Sequence, residues 1–208
     1  LAAAGSRRGC RMTVRVEPLV GDALARGLPA LARLRITVFR SWPYLYDGTL
    51  DYEQAYLHKL AAAPGTVIVA AFDGDEIIGC ATAAPLAQVE GAFSAPLAGK
   101  GYDIAKLLYC GESVLLAAYR GQGLGHAFFD QREAHGRKLG GLTHSTFCAV
   151  VRSPGHRLQP KDYVPLDAFW GRRGYAKVDG LVGSFAWKDI DQPGETAKPM
   201  QYWMRELG

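Results

Sequence analysis

The segment best suited to chemistry is a glycine-rich turn at residues 119–126, which read Tyr-Arg-Gly-Gln-Gly-Leu-Gly-His. The three glycines leave backbone N–H groups unobstructed by side chains and permit tight turning. The turn lies between a predicted strand and a predicted helix, so its N–H groups would sit at the positive end of the helix dipole. Such a helix start binds anions, most naturally a phosphate or pyrophosphate, and Arg120 adds a charged donor.

Three classes of phosphate-binding loop can be compared with this turn. A P-loop requires Gly-Lys-Ser/Thr at the helix start, whereas residues 125–127 read Gly-His-Ala. A dinucleotide-binding fold requires G-x-G-x-x-G and an acidic residue ending the next strand. Here the third glycine comes one position early, and residues 149–152 read Ala-Val-Val-Arg. Residues 120–125 instead resemble the R/Q-x-x-G-x-G/A pyrophosphate loop of the GNAT superfamily of N-acetyltransferases. A helix entry that binds no ligand is the remaining alternative.

The elements around the turn predict an α/β (α+β) fold. Hydrophobic periodicity and turn residues predict strands at 13–18, 66–72, 76–84, 107–117, 143–151, 181–187 and 200–207. Helices are predicted over 22–38, 49–59, 121–139 and 167–173, with Asp22, Thr49 or Asp51, and Asp167 as caps. Residues 85–106, rich in glycine and proline, are interpreted as an irregular excursion that could include one helical turn. This order predicts a mixed sheet with helices on its faces.

The resemblance to the GNAT superfamily covers most of residues 13–206, because the family has the same element order. It implies a single domain at residues 12–208 with a mixed, mostly antiparallel sheet of six to seven strands and helices on both faces. The fourth and fifth strands would be parallel and splayed, with the pantetheine arm of acetyl-CoA between them. Residues 1–11 are interpreted as a cloning remnant or loose extension, and Met12 as a natural start.

The resemblance also implies a set of residues that hold acetyl-CoA as cosubstrate. The backbone of the fourth strand would pair with the pantetheine amides, and the glycine-rich turn would hold the pyrophosphate. Trp170 occupies the position where the family usually has a Tyr that protonates the departing thiolate. An indole N–H is far too weak an acid for that role, so Trp170 is expected to pack in the core or beside the cofactor. The predicted cofactor-binding residues are Leu115, Leu116, Arg120, Gly121, Gln122, Gly123, Leu124, Gly125, His126 and Trp170.

Three residues are candidates for proton transfer. An alkyl ammonium ion must lose a proton before it can attack, and a carboxylate can accept that proton. Glu112 is the only charged residue in 107–118, and a carboxylate in an apolar strand must face solvent or a partner. It is therefore the predicted base, with an exposed or salt-bridged glutamate as the equal alternative. Tyr163 and Tyr175 are the candidates for the acid, although water could serve instead.

The acceptor side is predicted from aromatic and acidic residues. In the family, the link between the first two helices forms one wall of the acceptor site. Here residues 39–56, which include that link, are rich in aromatic and acidic side chains. Such a wall would suit a cationic amine, although the aromatics could equally cover the core. The predicted acceptor-binding residues are Trp42, Tyr44, Tyr46 and, on the opposite wall, Phe93. Three basic residues that follow the fifth strand could meet the 3′-phosphate of the cofactor, although Lys and Arg in loops are usually just solvated: Arg152, Arg157 and Lys161.

Composition limits the other function classes. The net charge of +4 without a basic run gives no reason to expect nucleic acid, and no apolar stretch approaches the roughly 20 residues of a membrane span. The Cys and His residues lack metal-ligand spacing, so no metal is predicted. Cysteines within apolar runs suggest buried thiols and a cytoplasmic location.

The sequence therefore predicts an acetyl-CoA-dependent N-acetyltransferase that acts directly on an amine of an unidentified small molecule or protein. A small-molecule amine is the favoured partner, and a homodimer is among the states considered. One alternative is a non-catalytic acyl-CoA-binding sensor or partner module, which the Trp170 substitution keeps open. A nucleotide-dependent enzyme is the other, and a covalent route through Cys148 is the less favoured mechanism.

Overall fold

A computed structural model of the chain describes residues 14–208. The predicted extension at 1–11, the start at Met12 and the beginning of the first predicted strand lie outside the described residues. The strands are β1 (Arg15–Pro18), β2 (Val67–Asp73), β3 (Glu76–Pro85), β4 (Leu107–Leu115), β5 (His144–Val150), β6 (Ala176–Lys188) and β7 (Glu195–Glu206). The helices are α1 (Gly21–Phe39), α2 (Leu50–Ala62), α3 (Gly91–Gly99), α4 (Leu124–Leu139) and α5 (Asp167–Arg172).

The seven strands form one sheet in the order β1-β2-β3-β4-β5-β7-β6. All neighbouring pairs are antiparallel except β4 and β5, which are parallel. Alternate residues of β2 pack on opposite sides: Val67 and Val69 join the core under α4, while Ile68 and Ala70 join the core under α1 and α2. This alternation is that of a strand buried on both faces. The predicted fold class is confirmed.

The pairing of β4 with β5 is short, and this determines the shape of the sheet. Leu107 to Tyr109 pair with His144 to Thr146, and no pairing between the two strands follows. Residues 110–115 pair only with β3, and residues 147–150 pair only with β7. A bulge at residues 111–112 of β4 shifts the register against β3 and bends the strand. The parallel strands therefore splay and leave a gap in the middle of the sheet.

Several element bounds differ from the prediction for local reasons. Residues 85–106, predicted to be irregular, contain α3, which buries Leu97 against β4 and β6 residues despite its glycines and Pro96. Helix α4 begins at Leu124 rather than at residue 121, because Gly121 and Gly123 both have positive φ. Strands β6 and β7 are longer than predicted because they pair with each other along almost their whole length.

The predicted helix caps are correct only for α2. The Thr49 side chain accepts a hydrogen bond from the Tyr52 N–H at 3.4 Å. Asp22 and Asp167 instead lie in the first turns of α1 and α5, and neither helix has a side-chain cap. A carboxylate in a first turn still interacts favourably with the helix dipole. None of the helices within residues 14–208 is both long and apolar enough to cross a membrane.

Helix α4 approaches β4 closely at Gly136, which gives a stability prediction. A Cβ at this position would lie 2.7 Å from Leu108 Cδ2 and 3.1 Å from Leu207 Cδ2, and both leucines are buried. Gly136→Ala is therefore expected to lower the free energy of unfolding by about 1–3 kcal/mol through overpacking. Gly171→Ala is the control, since it adds the same methyl group to a helix where nothing lies within 4 Å. Equal denaturation midpoints for the two variants would contradict the close approach of α4.

Candidate active site

The glycine-rich turn connects the end of β4 to α4 and is open to solvent. Gly123 is the N-cap of α4 in the left-handed conformation, with φ +84°, and Gly121 has φ +76°. A Cβ added at either glycine would meet nothing within 4 Å. Residues 121–123 are exposed. The turn therefore has the conformation that requires glycine and free space in front of it.

The amides of this turn are largely unpartnered. The His126 N–H donates to the Gly123 carbonyl at 2.9 Å, so it is used within the helix start. No acceptor within residues 14–208 lies in hydrogen-bonding position for the N–H groups of residues 121–125. Helix starts leave such N–H groups for a cap, water or a ligand. Five neighbouring amides at an exposed helix N-terminus form a site that suits an anion.

The edge of β4 that faces the gap provides further backbone groups. The Leu116 N–H donates to the Ile78 carbonyl at 3.0 Å, and its own carbonyl accepts from Tyr119, so Leu116 is engaged within the chain. Backbone groups alternate in direction along a strand, so those of Leu115 and Ser113 point towards the gap. Arg120 Nε donates to the Leu115 carbonyl at 3.3 Å. Of the two predicted pantetheine partners, only Leu115 has its N–H turned towards the gap.

Glu112 lies at the bulge of β4 and is buried in an ion-paired cluster. Its Oε1 pairs with Nη1 of Arg35 from α1, and its Oε2 accepts a hydrogen bond from the Tyr56 hydroxyl at 3.2 Å. Arg132 of α4 donates to the Glu112 carbonyl at 3.0 Å. The glutamate thus has partners on both sides of the sheet. The sequence does not reveal Arg35 and Tyr56 as partners, because residues in separate helices give no local signal.

The two tyrosines predicted as acids lie in different surroundings. The Tyr175 hydroxyl is buried under the sheet, 2.7 Å from Ser145 Oγ and 3.1 Å from Glu133 Oε1. Burial raises the pKa of Tyr175 well above its usual value. Tyr163 is half-buried in the loop before α5, where its ring contacts Trp42 at 5.9 Å. Burial also raises the pKa of Tyr163.

Trp170 lies on α5 and packs into the core beneath the sheet. Its ring is 5.0 Å from that of Phe147 and 5.2 Å from that of Trp203. Phe147 is the first residue of β5 beyond the paired section, so Trp170 lies under the start of the gap. On the other face, the Tyr109 hydroxyl is 3.2 Å from Cys148 Sγ. Burial raises the pKa of Cys148 to about 12.

The aromatic residues predicted to bind the acceptor form two walls near the gap. Tyr44 from the α1–α2 linker contacts Phe39 at 4.8 Å and Trp187 at 6.0 Å. Phe93 from α3 stacks on Phe185 at 4.5 Å and contacts Tyr109 at 5.1 Å. Both walls contain aromatic residues of β6 that the prediction did not include. Trp42 contacts His156 at 5.2 Å.

The α1–α2 linker is held in place by a buried carboxylate. Asp189, which follows β6, is fully buried and binds Arg152 with Nη1–Oδ2 at 2.6 Å and Nη2–Oδ1 at 3.1 Å. Arg152 also donates to the carbonyls of Pro43 and Tyr44. Tyr46 forms an isolated β-bridge with Asp189. Arg152 therefore fixes the α1–α2 linker and points away from solvent, in contrast to the phosphate contact predicted for it.

Two further features of the described residues bear on the site. No group of three or more His, Cys, Asp or Glu side chains within residues 14–208 is arranged to hold a metal ion. A groove of about 870 Å³ lies between α1 and the β1–β3 strands. It contacts the site described above only through Leu116, so the gap and the glycine-rich turn remain the better candidate for chemistry.

The sequence matches the model of the acetyltransferase (GNAT) family over residues 31–159, which is more than half of the chain. No curated protein matches the sequence.

Solved structures with a similar fold include an acetyltransferase from Thermus thermophilus, with a TM-score of 0.55 and 18% identity over 94% of this chain and 98% of that chain. An aminoglycoside 6′-N-acetyltransferase complexed with coenzyme A has a TM-score of 0.57 and 16% identity over 93% and 97%. A ribosomal-protein-alanine N-acetyltransferase from Brucella melitensis has a TM-score of 0.57 and 12% identity over 93% and 99%. At these identities the likeness concerns the fold alone.

Proposed function

The chain belongs to the GNAT acetyltransferase family, and we propose that it transfers an acetyl group from acetyl-CoA directly to an amine. The observation that carries the proposal is the gap between β4 and β5, which leads to the open amides of residues 121–125. A pantetheine arm fits such a gap because it can pair with strand backbone, and a pyrophosphate fits the amides. Acetyl-CoA would supply a thioester carbon that an amine can attack.

The residues of the chain have separate roles in this proposal. The amides at the start of α4, together with Arg120, bind the diphosphate, and the Leu115 backbone aligns the arm. The aromatic walls around Tyr44 and Phe93 receive the acceptor. Glu112 accepts the ammonium proton, which allows the nitrogen lone pair to form the N–C bond.

As the C–S bond breaks, the nitrogen loses its second proton to water, and the departing thiolate takes a proton from water or a tyrosine. Of the two tyrosines, Tyr163 is the proposed proton donor, because the Tyr175 hydroxyl is already bound by Ser145 and Glu133. The roles of Tyr163 and Tyr175 as proton donors remain predictions, and so does the position of Trp170 beside the cofactor.

Direct transfer is supported by the state of the thiol nearest the gap. Cys148 is buried, and its raised pKa of about 12 keeps the thiol protonated and weakly nucleophilic at neutral pH. Cys148→Ala is therefore expected to retain kcat within about threefold, since no acyl-enzyme has to form there. The measurement is the steady-state release of free thiol from acetyl-CoA. A burst of thiol release that disappears in Cys148→Ala would contradict direct transfer.

Two experiments test the proposed function. Calorimetry with acetyl-CoA, NAD and ATP identifies the ligand class, and binding of NAD or ATP without acetyl-CoA would end the proposal. Thiol release is then measured with a polyamine, an aminoglycoside and a peptide with an N-terminal alanine, the last two chosen from the acceptors that similar structures are named for. Tight CoA binding without turnover on any amine would favour the sensor function that Trp170 suggests.

The buried thiols of Cys80, Cys110 and Cys148 support a cytoplasmic site of action.

A further inference from the structure

One arginine is shared by two buried glutamates beside the proposed acceptor site. Arg35 of α1 donates from Nε to Glu53 Oε2 of α2, and its Nη1 pairs with Glu112 Oε1 of β4. Arg35, Glu53 and Glu112 are 7%, 1% and 8% exposed, so solvent screens this cluster little. Two carboxylates against one guanidinium leave one negative charge in excess. Such an excess is costly in a buried site unless a cation or a proton compensates it.

The other groups around the cluster are neutral, except for the buried Arg132, which binds backbone carbonyls and forms no ion pair with Glu53 or Glu112. Tyr56 donates its hydroxyl to Glu112, and the pKa of Tyr46 is raised by burial and by the nearby Glu53. The pKa of Cys80 of β3 is raised by burial and then by Glu112, so the thiol is neutral. Tyr44 approaches from the linker, and burial, which raises its pKa, keeps it neutral as well.

Arg132 of α4 donates to the backbone carbonyls of Glu112 and Thr82. Within residues 14–208, Arg35 is therefore the one cation that pairs with these carboxylates.

The way in which Arg35 divides its donors determines how Glu112 is held. An arginine and a single carboxylate favour a bidentate pair, with two parallel N–H···O bonds. Here Glu53 occupies the Nε edge, and Glu112 contacts Arg35 through one nitrogen only. Its second oxygen is engaged by the weaker, neutral donor Tyr56 at 3.2 Å. Glu112 is thus less tightly paired than its burial alone would suggest.

We propose that Glu53 is a positioning residue for the acetyl transfer. By holding the Nε edge of Arg35, it prevents a bidentate Arg35–Glu112 pair and leaves Glu112 able to take a proton from an acceptor ammonium ion. The excess negative charge of the cluster also selects for a cationic acceptor, because the ammonium neutralises it on entering. The proposal rests on the proposed function, since it assigns Glu53 a role in the same reaction.

The first test is the pH dependence of turnover in Glu53→Gln, with Asp51→Asn as the matched control. Asp51 is an exposed carboxylate on the same helix. Without Glu53, Arg35 can close on Glu112 and stabilise its charged form, which makes it a weaker base. We expect kcat at pH 7 to fall by about tenfold, and the acid limb of kcat/KM to move to lower pH. The KM for acetyl-CoA and the profile of Asp51→Asn should not change.

A lower kcat with an unmoved acid limb would overturn the proposal, because a merely structural role does not move that limb. If Glu53→Gln does not fold, Glu53→Asp provides a second test, because the shorter side chain keeps the negative charge but loosens the contact with Arg35 Nε. Its acid limb should move in the same direction, and an unmoved limb would refute the sharing of Arg35. If wild-type protein binds acetyl-CoA but acetylates no amine, the proposed function itself fails, whatever the variants show.

Discussion

Gly123→Val is expected to weaken coenzyme A binding by at least about 100-fold. The valine side chain would fill the open space in front of the turn and keep a diphosphate from the amides of residues 121–125. The loss of two hydrogen bonds to a charged group, at about 1.5–3 kcal/mol each, is sufficient for this effect. Isothermal titration with coenzyme A measures it directly.

The control for Gly123→Val has to separate lost binding from backbone strain. Gly123 has φ +84°, so any side chain there also costs about 1–2 kcal/mol of folding free energy. Gly155→Val carries a similar strain, because Gly155 has φ +78°, lies in an exposed loop and has nothing within 4 Å of an added Cβ. We expect the two variants to lose similar stability, while only Gly123→Val loses affinity. Unchanged affinity in Gly123→Val would refute the assignment of the turn.

Glu112→Gln is expected to lower kcat by about 100-fold at pH 7, because a positioned general base typically contributes about 10²–10⁴-fold. The deficit should shrink above pH 8, as more of the amine is already deprotonated in solution. Folding should be affected less than turnover, since Arg35 keeps Glu53 as its partner and the glutamine can still accept the Tyr56 hydrogen bond. The measurement is the pH dependence of thiol release at saturating acetyl-CoA.

Glu76→Gln serves as the comparison, since it changes an exposed glutamate on the neighbouring strand β3. Its pH profile should overlay that of the wild-type protein. If the deficit of Glu112→Gln were the same at every pH, Glu112 would have another role than that of the base.

The parts of the molecule that the sequence predicts well depend on neighbours along the chain. The turn at residues 119–126 can be recognised because its glycines, its strand and its helix are contiguous. The β4–β5 splay is implied by resemblance, and the structure shows its cause in a pairing that stops after Tyr109 and a bulge at residues 111–112. Glu112 can be recognised because a lone charge in an apolar strand needs a partner.

What the sequence does not predict depends on contacts between distant segments. Arg35 and Glu53 lie on the buried faces of α1 and α2, four residues from Leu31 and Leu57 respectively. The sequence does not indicate that they meet Glu112, because residues in separate elements give no local signal. Helix α3, nine residues long, is predicted as no more than one helical turn because its glycines and proline suggest a loop, whereas packing of Leu97 stabilises it. The sequence leaves Arg152 as a phosphate contact or a solvated side chain, because its buried partner Asp189 comes from a distant segment, directly after β6.

The short seam between β4 and β5 has a mechanical consequence. The sheet consists of two half-sheets, one of β1 to β4 and one of β5, β7 and β6. The half-sheets meet where β4 pairs with β5, and this pairing comprises three residue pairs. Backbone hydrogen bonds supply little cohesion there, so packing of helices across the border must hold the halves together. A ligand bound between β4 and β5 would pair with the backbone of both half-sheets. Its binding free energy would therefore add to the free energy of unfolding of the whole domain.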